Sequence, residues 1–298
     1  MHILLTGGTG LIGRALCKRL VAEGHQLTVW SRRPDQVPTL CGAQVQGIAS
    51  LQQLDQQTVD AVINLAGAPI ADRPWTAKRK AVLWASRVGL TEQLVEWLGQ
   101  QEHKPKVLIS GSAVGWYGDG GDVLITEQSP PSLEYTHTLC DAWEAAARRA
   151  GSYGIRVCLL RTGLVLAPNG GFLSRLLLPF KLCLGGPIGK GQHYMPWVHR
   201  DDMVGIIVQL LLNPDAQGPF NAVAPNPVSN REFARTLGKV LKRPTILPLP
   251  APVLKLGLGE MSRLLLTGQR AVPEKMLEQG YQFKFSELET ALNDVINH

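Results

Sequence analysis

Glycines 7, 10 and 13 stand three apart in Thr6-Gly7-Gly8-Thr9-Gly10-Leu11-Ile12-Gly13, between the apolar run Ile3-Leu4-Leu5 and a stretch with helical spacing. Glycine lets a strand turn sharply into a helix, lets bare backbone N–H groups approach an anion, and lets that helix pack against a sheet. The chemistry of such a turn is the holding of a pyrophosphate, with Gly7, Thr9, Gly10, Leu11, Ile12 and Gly13 within reach of a dinucleotide. About twenty residues further on, a carboxylate would accept hydrogen bonds from ribose hydroxyls. Here the chain reads Trp30-Ser31-Arg32-Arg33 and has no acid before Asp35. Ser31 and Arg32 offer a hydroxyl and a planar donor fork, a clamp for a 2′-phosphate. NADP is therefore the expected cofactor; the alternative for Arg32-Arg33 is a solvated loop pair.

The elements that must position these groups follow from periodicity. Ile12, Ala15, Leu16 and Leu20 share one helix face, Gly24 ends that helix, and Leu27-Thr28-Val29-Trp30 reads as a second strand. Ala43 to Gly47 is a weak third strand, whereas Ala61-Val62-Ile63-Asn64-Leu65 is a strong one that stops at Ala66-Gly67-Ala68-Pro69. One long helix is expected from about Thr76 to Leu98. A strand follows at Val107-Leu108-Ile109, closed by Ser110-Gly111-Ser112-Ala113; then come a helix from about Leu139 to Ala150 and a strand at Ile155 to Leu160. Alternating buried strands and helices predict an α/β fold with a Rossmann-type doubly wound parallel sheet. Ligands in such sheets sit off the carboxyl ends of the strands, which adds Leu65, Ala66, Gly67 and Val165 to the cofactor-binding candidates.

Beyond Leu166 the breakers Pro168-Asn169-Gly170-Gly171, Gly185-Gly186-Pro187 and Gly189-Lys190-Gly191 cut the chain into short pieces. Residues 1–165 are expected to form the NADP-binding domain and residues 166–298 a smaller, interleaved C-terminal substrate and lid region, with a strand near 220–223 returning to the main sheet. The glycines between Gly170 and Gly191 make that segment costly to order, so cofactor is expected to order it. His193, Tyr194, Trp197 and His199 either face substrate or pack as half-buried aromatic groups. His193 and His199 lack a third ligand nearby, so no metal site is expected.

With 45% hydrophobic and 18% charged residues in 298, the chain can bury a large core. Its formal charge of +6 comes from separated basic pairs and short clusters rather than a stripe, which excludes a nucleic-acid groove. No apolar run is long enough to span a bilayer and the N-terminus lacks a leader, so no membrane role is expected. Five cysteines without metal-like spacing read as reduced thiols in a cytoplasmic protein.

These residues resemble the extended short-chain dehydrogenase/reductase superfamily, the group that includes nucleotide-sugar epimerases and dehydratases. Thr6-Gly7-x-x-Gly10-x-x-Gly13 is similar to its cofactor loop, Asn64-Leu65-Ala66-Gly67 to the motif after its fourth strand, and Trp197 to Asp202 to a late segment of its substrate region. Ser86-Arg87-Val88, Trp143-Glu144-Ala145-Ala146-Ala147, Arg161 to Leu166, Gly185 to Gly189 and Pro273 to Leu277 narrow the resemblance to the atypical "epimerase family" proteins, along essentially the whole chain. The resemblance implies that Arg87 contacts the cofactor and that Ser112 holds a substrate oxygen, a turn-stabilising role for Ser112 being the alternative. That superfamily uses a Tyr as general acid/base and a Lys four residues later. Aligned on Glu144, those positions are Thr136 and Cys140, with Tyr135 one residue off and Leu139 four after it. Ser112 and Tyr135 are thus the catalytic candidates, without the usual Tyr-Lys pair. Two functions remain open at this level: an NADP(H)-binding oxidoreductase or epimerase acting on a small polar molecule, nucleotide-linked or free, or an NADP-binding redox sensor with little turnover. A small-molecule substrate is the expected partner, and a homodimer is compatible with the sequence.

Overall fold

Seven short, largely apolar segments lie side by side and all run parallel. The computed structural model describes residues 1–168 and 170–297; Asn169, within the breaker run at 168–171, and His298 lie outside the described residues. The strands are β1 (His2–Thr6), β2 (Gln26–Trp30), β3 (Gln46–Ile48), β4 (Ala61–Asn64), β5 (Val107–Ala113), β6 (Arg156–Thr162) and β7 (Gly218–Ala222). Their order is β7-β6-β5-β4-β1-β2-β3. Register pairs Leu5 with Val29 on one side and with Ile63 on the other. The winding reverses between β1 and β4, and that switch point opens a crevice at the carboxyl edge of the sheet.

Both sheet faces are covered, and alternation along the strands says which residues go where. Ile3, Leu5, Ile63 and Ile109 face α1 (Leu11–Ala22) and the later helix Arg200–Leu212, while Leu4, Val62, Leu108 and Leu159 face the opposite layer. That layer includes α2 (Leu90–Gln100) and α3 (Tyr135–Arg148). A third core, built on Trp197, Phe233 and Phe285, holds the C-terminal part together. Among the described residues no helix is long and apolar enough to cross a membrane.

Two helices differ from the sequence expectation. The stretch from Thr76 is not one regular helix: Ala77–Trp84 gives way to a π turn at Ala85–Gly89 before α2 begins. Thr76 caps the first piece by accepting from the Arg79 N–H at 3.2 Å. The wide turn inserts a residue that helical spacing alone does not reveal, and π turns concentrate at functional sites. Helix α3 starts at Tyr135 rather than Leu139, so Tyr135 and Thr136 stand in its first turn.

Candidate active site

The turn after β1 has the geometry that its glycines foreshadow. Gly7 has φ +71°, and a Cβ there would lie 2.6 Å from the carbonyl carbon of Leu65. A Cβ on Gly13 would lie 2.3 Å from the Gly7 carbonyl oxygen. Gly10 precedes α1 without any side-chain cap. The helical ladder starts with Arg14 N donating to the Gly10 oxygen at 3.0 Å, which leaves the N–H groups of Leu11, Ile12 and Gly13 turned outward from the helix end, as an anion requires.

The loop after β4 is pinned beside this turn by buried hydrogen bonds. Thr6 Oγ1 donates to Asn64 Oδ1 at 2.6 Å and accepts from Ala66 N at 3.1 Å. Asn64 Nδ2 in turn donates to Thr91 Oγ1 at 2.8 Å. Leu65, Ala66 and Gly67 are thereby brought next to Gly7. Arg87, carried by the π turn, reaches the same loop: a Cβ on Gly67 would stand 3.0 Å from its Cζ. Its Nη1 is buried without a hydrogen-bond partner, and burial pushes its pKa down from the ordinary arginine value. A cation held out of water with an open donor asks for a polar or anionic group not supplied by the chain. The residues present therefore fit a dinucleotide: a glycine turn too tight for side chains, outward N–H groups at a helix end and an unmatched buried donor.

The other cofactor candidates lie around the same edge. Ser31 follows β2, its Oγ accepting from Arg33 N at 3.1 Å, and Arg32 beside it is exposed. Val165 lies in a short strand, Leu164–Leu166, paired with Trp197–His199. Helix α4 (Gly171–Lys181) begins over the turn, with Leu11 3.1 Å from where Cβ atoms would stand on Gly170 and Gly171. Its Arg175 donates to the Ala71 carbonyl at 2.7 Å and pairs with Asp72, tying the helix to the loop after β4.

Next to this crevice is a cavity of about 220 Å³ walled by Trp75, Leu164, Phe172, Ile188, Met195 and Leu264, with Tyr135 and Thr136 from α3. The Tyr135 ring meets Trp75 edge-on at 4.9 Å between centroids, and Lys80 Nζ lies 4.3 Å from its centroid. The Tyr135 hydroxyl is buried without a partner. Burial raises its pKa above the ordinary tyrosine value, and the nearby charge of Arg87 opposes that rise. Arg263, a cation in the wall, already pairs with Glu134, and Glu260 with Lys80. His193 and Tyr194 also line the cavity, and burial holds the His193 imidazole below its ordinary pKa.

Ser112 is not brought to this cavity. Its hydroxyl is buried and donates to Glu144 Oε1 at 2.7 Å, a contact that engages the hydroxyl expected from the resemblance to hold a substrate oxygen. Neighbouring strand residues point to opposite faces, and Ser112 turns under α3 while Ala113 lines the cavity. Trp197 and His199 belong to the interior: His199 Nδ1 accepts from Asp201 N at 3.1 Å and its ring lies 3.8 Å from that of Phe285. Trp75 and Lys80, which frame Tyr135, were not singled out by the sequence because only folding brings them to α3.

The model of the NAD dependent epimerase/dehydratase family matches residues 3–223, and a domain of unknown function, DUF1731, matches residues 249–295. The chain is 38% identical over 302 residues to the epimerase family protein YfhF of Bacillus subtilis, covering 99% of this chain and 98% of that one. It superposes on the crystal structure of the human epimerase family protein SDR39U1 with NADPH at a TM-score of 0.90, with 34% identity and full coverage of both chains. A UDP-glucose 4-epimerase from Thermotoga maritima shares the fold at a TM-score of 0.81 and 18% identity, covering 100% of this chain and 98% of that one.

Proposed function

The chain belongs to the NAD dependent epimerase/dehydratase family, and from that premise we propose that it is an NADP(H)-dependent oxidoreductase of a small, uncharged carbonyl compound. The observation that carries the reading is the buried, unpartnered Nη1 of Arg87 beside Gly67. The human relative's structure with NADPH supports the same cofactor.

Gly7, Thr9, Gly10, Leu11, Ile12 and Gly13 would hold the pyrophosphate, Ser31 and Arg32 the 2′-phosphate, and Leu65, Ala66, Gly67, Arg87 and Val165 the remainder. When bound, NADP(H) supplies hydride chemistry at the crevice. The chain's own contribution is to exclude water, orient the carbonyl and place a proton. Tyr135 is the proton donor: its hydroxyl has no competing partner and burial keeps it protonated, which suits reduction better than oxidation. Arg87 and Lys80 stand near the phenol in place of the absent lysine. The wall favours a free carbonyl over a nucleotide-linked one, because among its described lining residues the one arginine, Arg263, is already paired with Glu134. The free cysteines are compatible with a reducing, cytoplasmic setting.

Titration of the protein with NADPH, followed by nicotinamide fluorescence, tests the reading. Arg87→Met is expected to weaken binding at least tenfold while the chain stays folded. Unchanged affinity in that variant would remove Arg87 from the site.

A further inference from the structure

Two adjoining segments of the C-terminal part expose large apolar side chains. Leu178, Leu182 and Leu184 at the end of α4 are 65%, 60% and 59% exposed, and Ile246, Val253 and Leu256 are 76%, 58% and 92% exposed. The two segments run together: Arg243 Nε donates to the Lys181 carbonyl at 3.1 Å, and Leu249 N donates to the Pro187 carbonyl at 2.9 Å. Isolated exposed leucines need no explanation, but six large exposed apolar side chains on two joined segments point to an interaction surface.

Charge identifies the partner. Residues 145–200 and 233–259 contain no Asp or Glu, whereas Lys181, Lys190, Lys242, Arg243 and Lys255 punctuate the same segments. All of these cations are exposed. Among the described residues none of them pairs with a carboxylate; the nearby acids Asp72 and Glu260 are taken by Arg175 and Lys80. A second copy of the chain placed two-fold on this face would set like charges against each other. A nucleic acid would match the charge but leave the leucines in water. An anionic bilayer matches both, since leucine and valine enter the acyl boundary while lysine and arginine reach the lipid phosphates.

We propose that the face formed by residues 178–190 and 242–256 docks this protein peripherally on an anionic lipid surface, without spanning it. The test is co-sedimentation of the full chain with vesicles of phosphatidylcholine alone and of phosphatidylcholine with 30% phosphatidylglycerol. Binding is expected to the anionic vesicles only, to fall at least tenfold in Leu256→Asp and in Lys181→Glu/Lys255→Glu, and to weaken with salt. Thermal unfolding should be unchanged in these variants, since the altered side chains are exposed. Absence of binding to anionic vesicles would overturn the proposal. So would a dimer in light scattering that Leu256→Asp converts to a monomer, which would assign the face to a second copy.

Discussion

Ser112 and Glu144 are joined inside the protein: the serine hydroxyl donates to Oε1 at 2.7 Å, and the same carboxylate receives Arg161 through Nε at 2.8 Å and Nη2 at 3.0 Å. Arg161 also donates to the Tyr117 hydroxyl at 3.0 Å. A buried carboxylate survives only with such a set of donors, because an unmatched charge in the interior costs several kcal/mol. The network ties β5, α3 and β6 together beneath the cavity and gives Ser112 a structural task.

Ser112→Ala is therefore expected to lower stability by about 1.5 kcal/mol, near the bottom of the range for a hydrogen bond to a charged group, because Arg161 stays on Glu144. NADPH affinity and turnover should stay within about twofold of wild type. Urea unfolding alongside cofactor titration checks both halves. A large loss of turnover at unchanged stability would return Ser112 to the chemistry.

Arg32→Ala addresses cofactor choice. The exposed guanidinium has only a 2′-phosphate to recommend it, so NADPH should bind the wild type at least tenfold tighter than NADH, a difference of about 1.4 kcal/mol. In the variant the two affinities should converge. Parallel fluorescence titrations decide it, and equal affinities in the wild type would exclude Arg32 from the clamp.

What the sequence makes legible follows from burial. β1, β4 and β5 are read easily because strands covered on both faces are uninterrupted apolar runs, such as Val107-Leu108-Ile109. β3 is blurred because it is a three-residue edge strand in which only Ile48 is buried. The glycine turn is legible because its constraint is local. Arg87 is suggested only by resemblance, since its position depends on a π turn invisible in the spacing. The surroundings of Ser112 are hidden for a related reason: a motif names a residue but not its partners, and here Glu144 and Arg161 come from distant elements.

Tyr135→Phe tests the proton donor. Loss of a general acid typically costs about 10²-fold or more, so kcat for carbonyl reduction should fall by at least that factor with NADPH affinity intact. The pH profile carries the sign. A donor acts in its protonated form, and burial holds this phenol above the ordinary tyrosine value, so activity should persist through neutral pH and fall only in the alkaline range beyond that value. A decline between pH 6 and 8 would point to another acid.

Arg175→Ala tests the closure of the crevice. Helix α4 rests on Leu11 of the glycine turn at one end and is tied through Arg175 to Ala71 and Asp72 beside the β4 loop. It therefore bridges the two walls that hold the cofactor, and its glycine-rich flanks lower the barrier to its departure. The exposed ion pair alone contributes under about 1 kcal/mol to stability, so the variant should unfold at nearly the wild-type temperature. Its effect should appear locally instead: faster amide exchange across residues 171–181 and an NADPH dissociation rate raised about threefold to tenfold. Added NADPH should slow exchange in this segment in the wild type and do so less in the variant. Protection that is identical with and without NADPH would make α4 a preformed wall, with Arg175 a surface contact of no consequence for the cofactor.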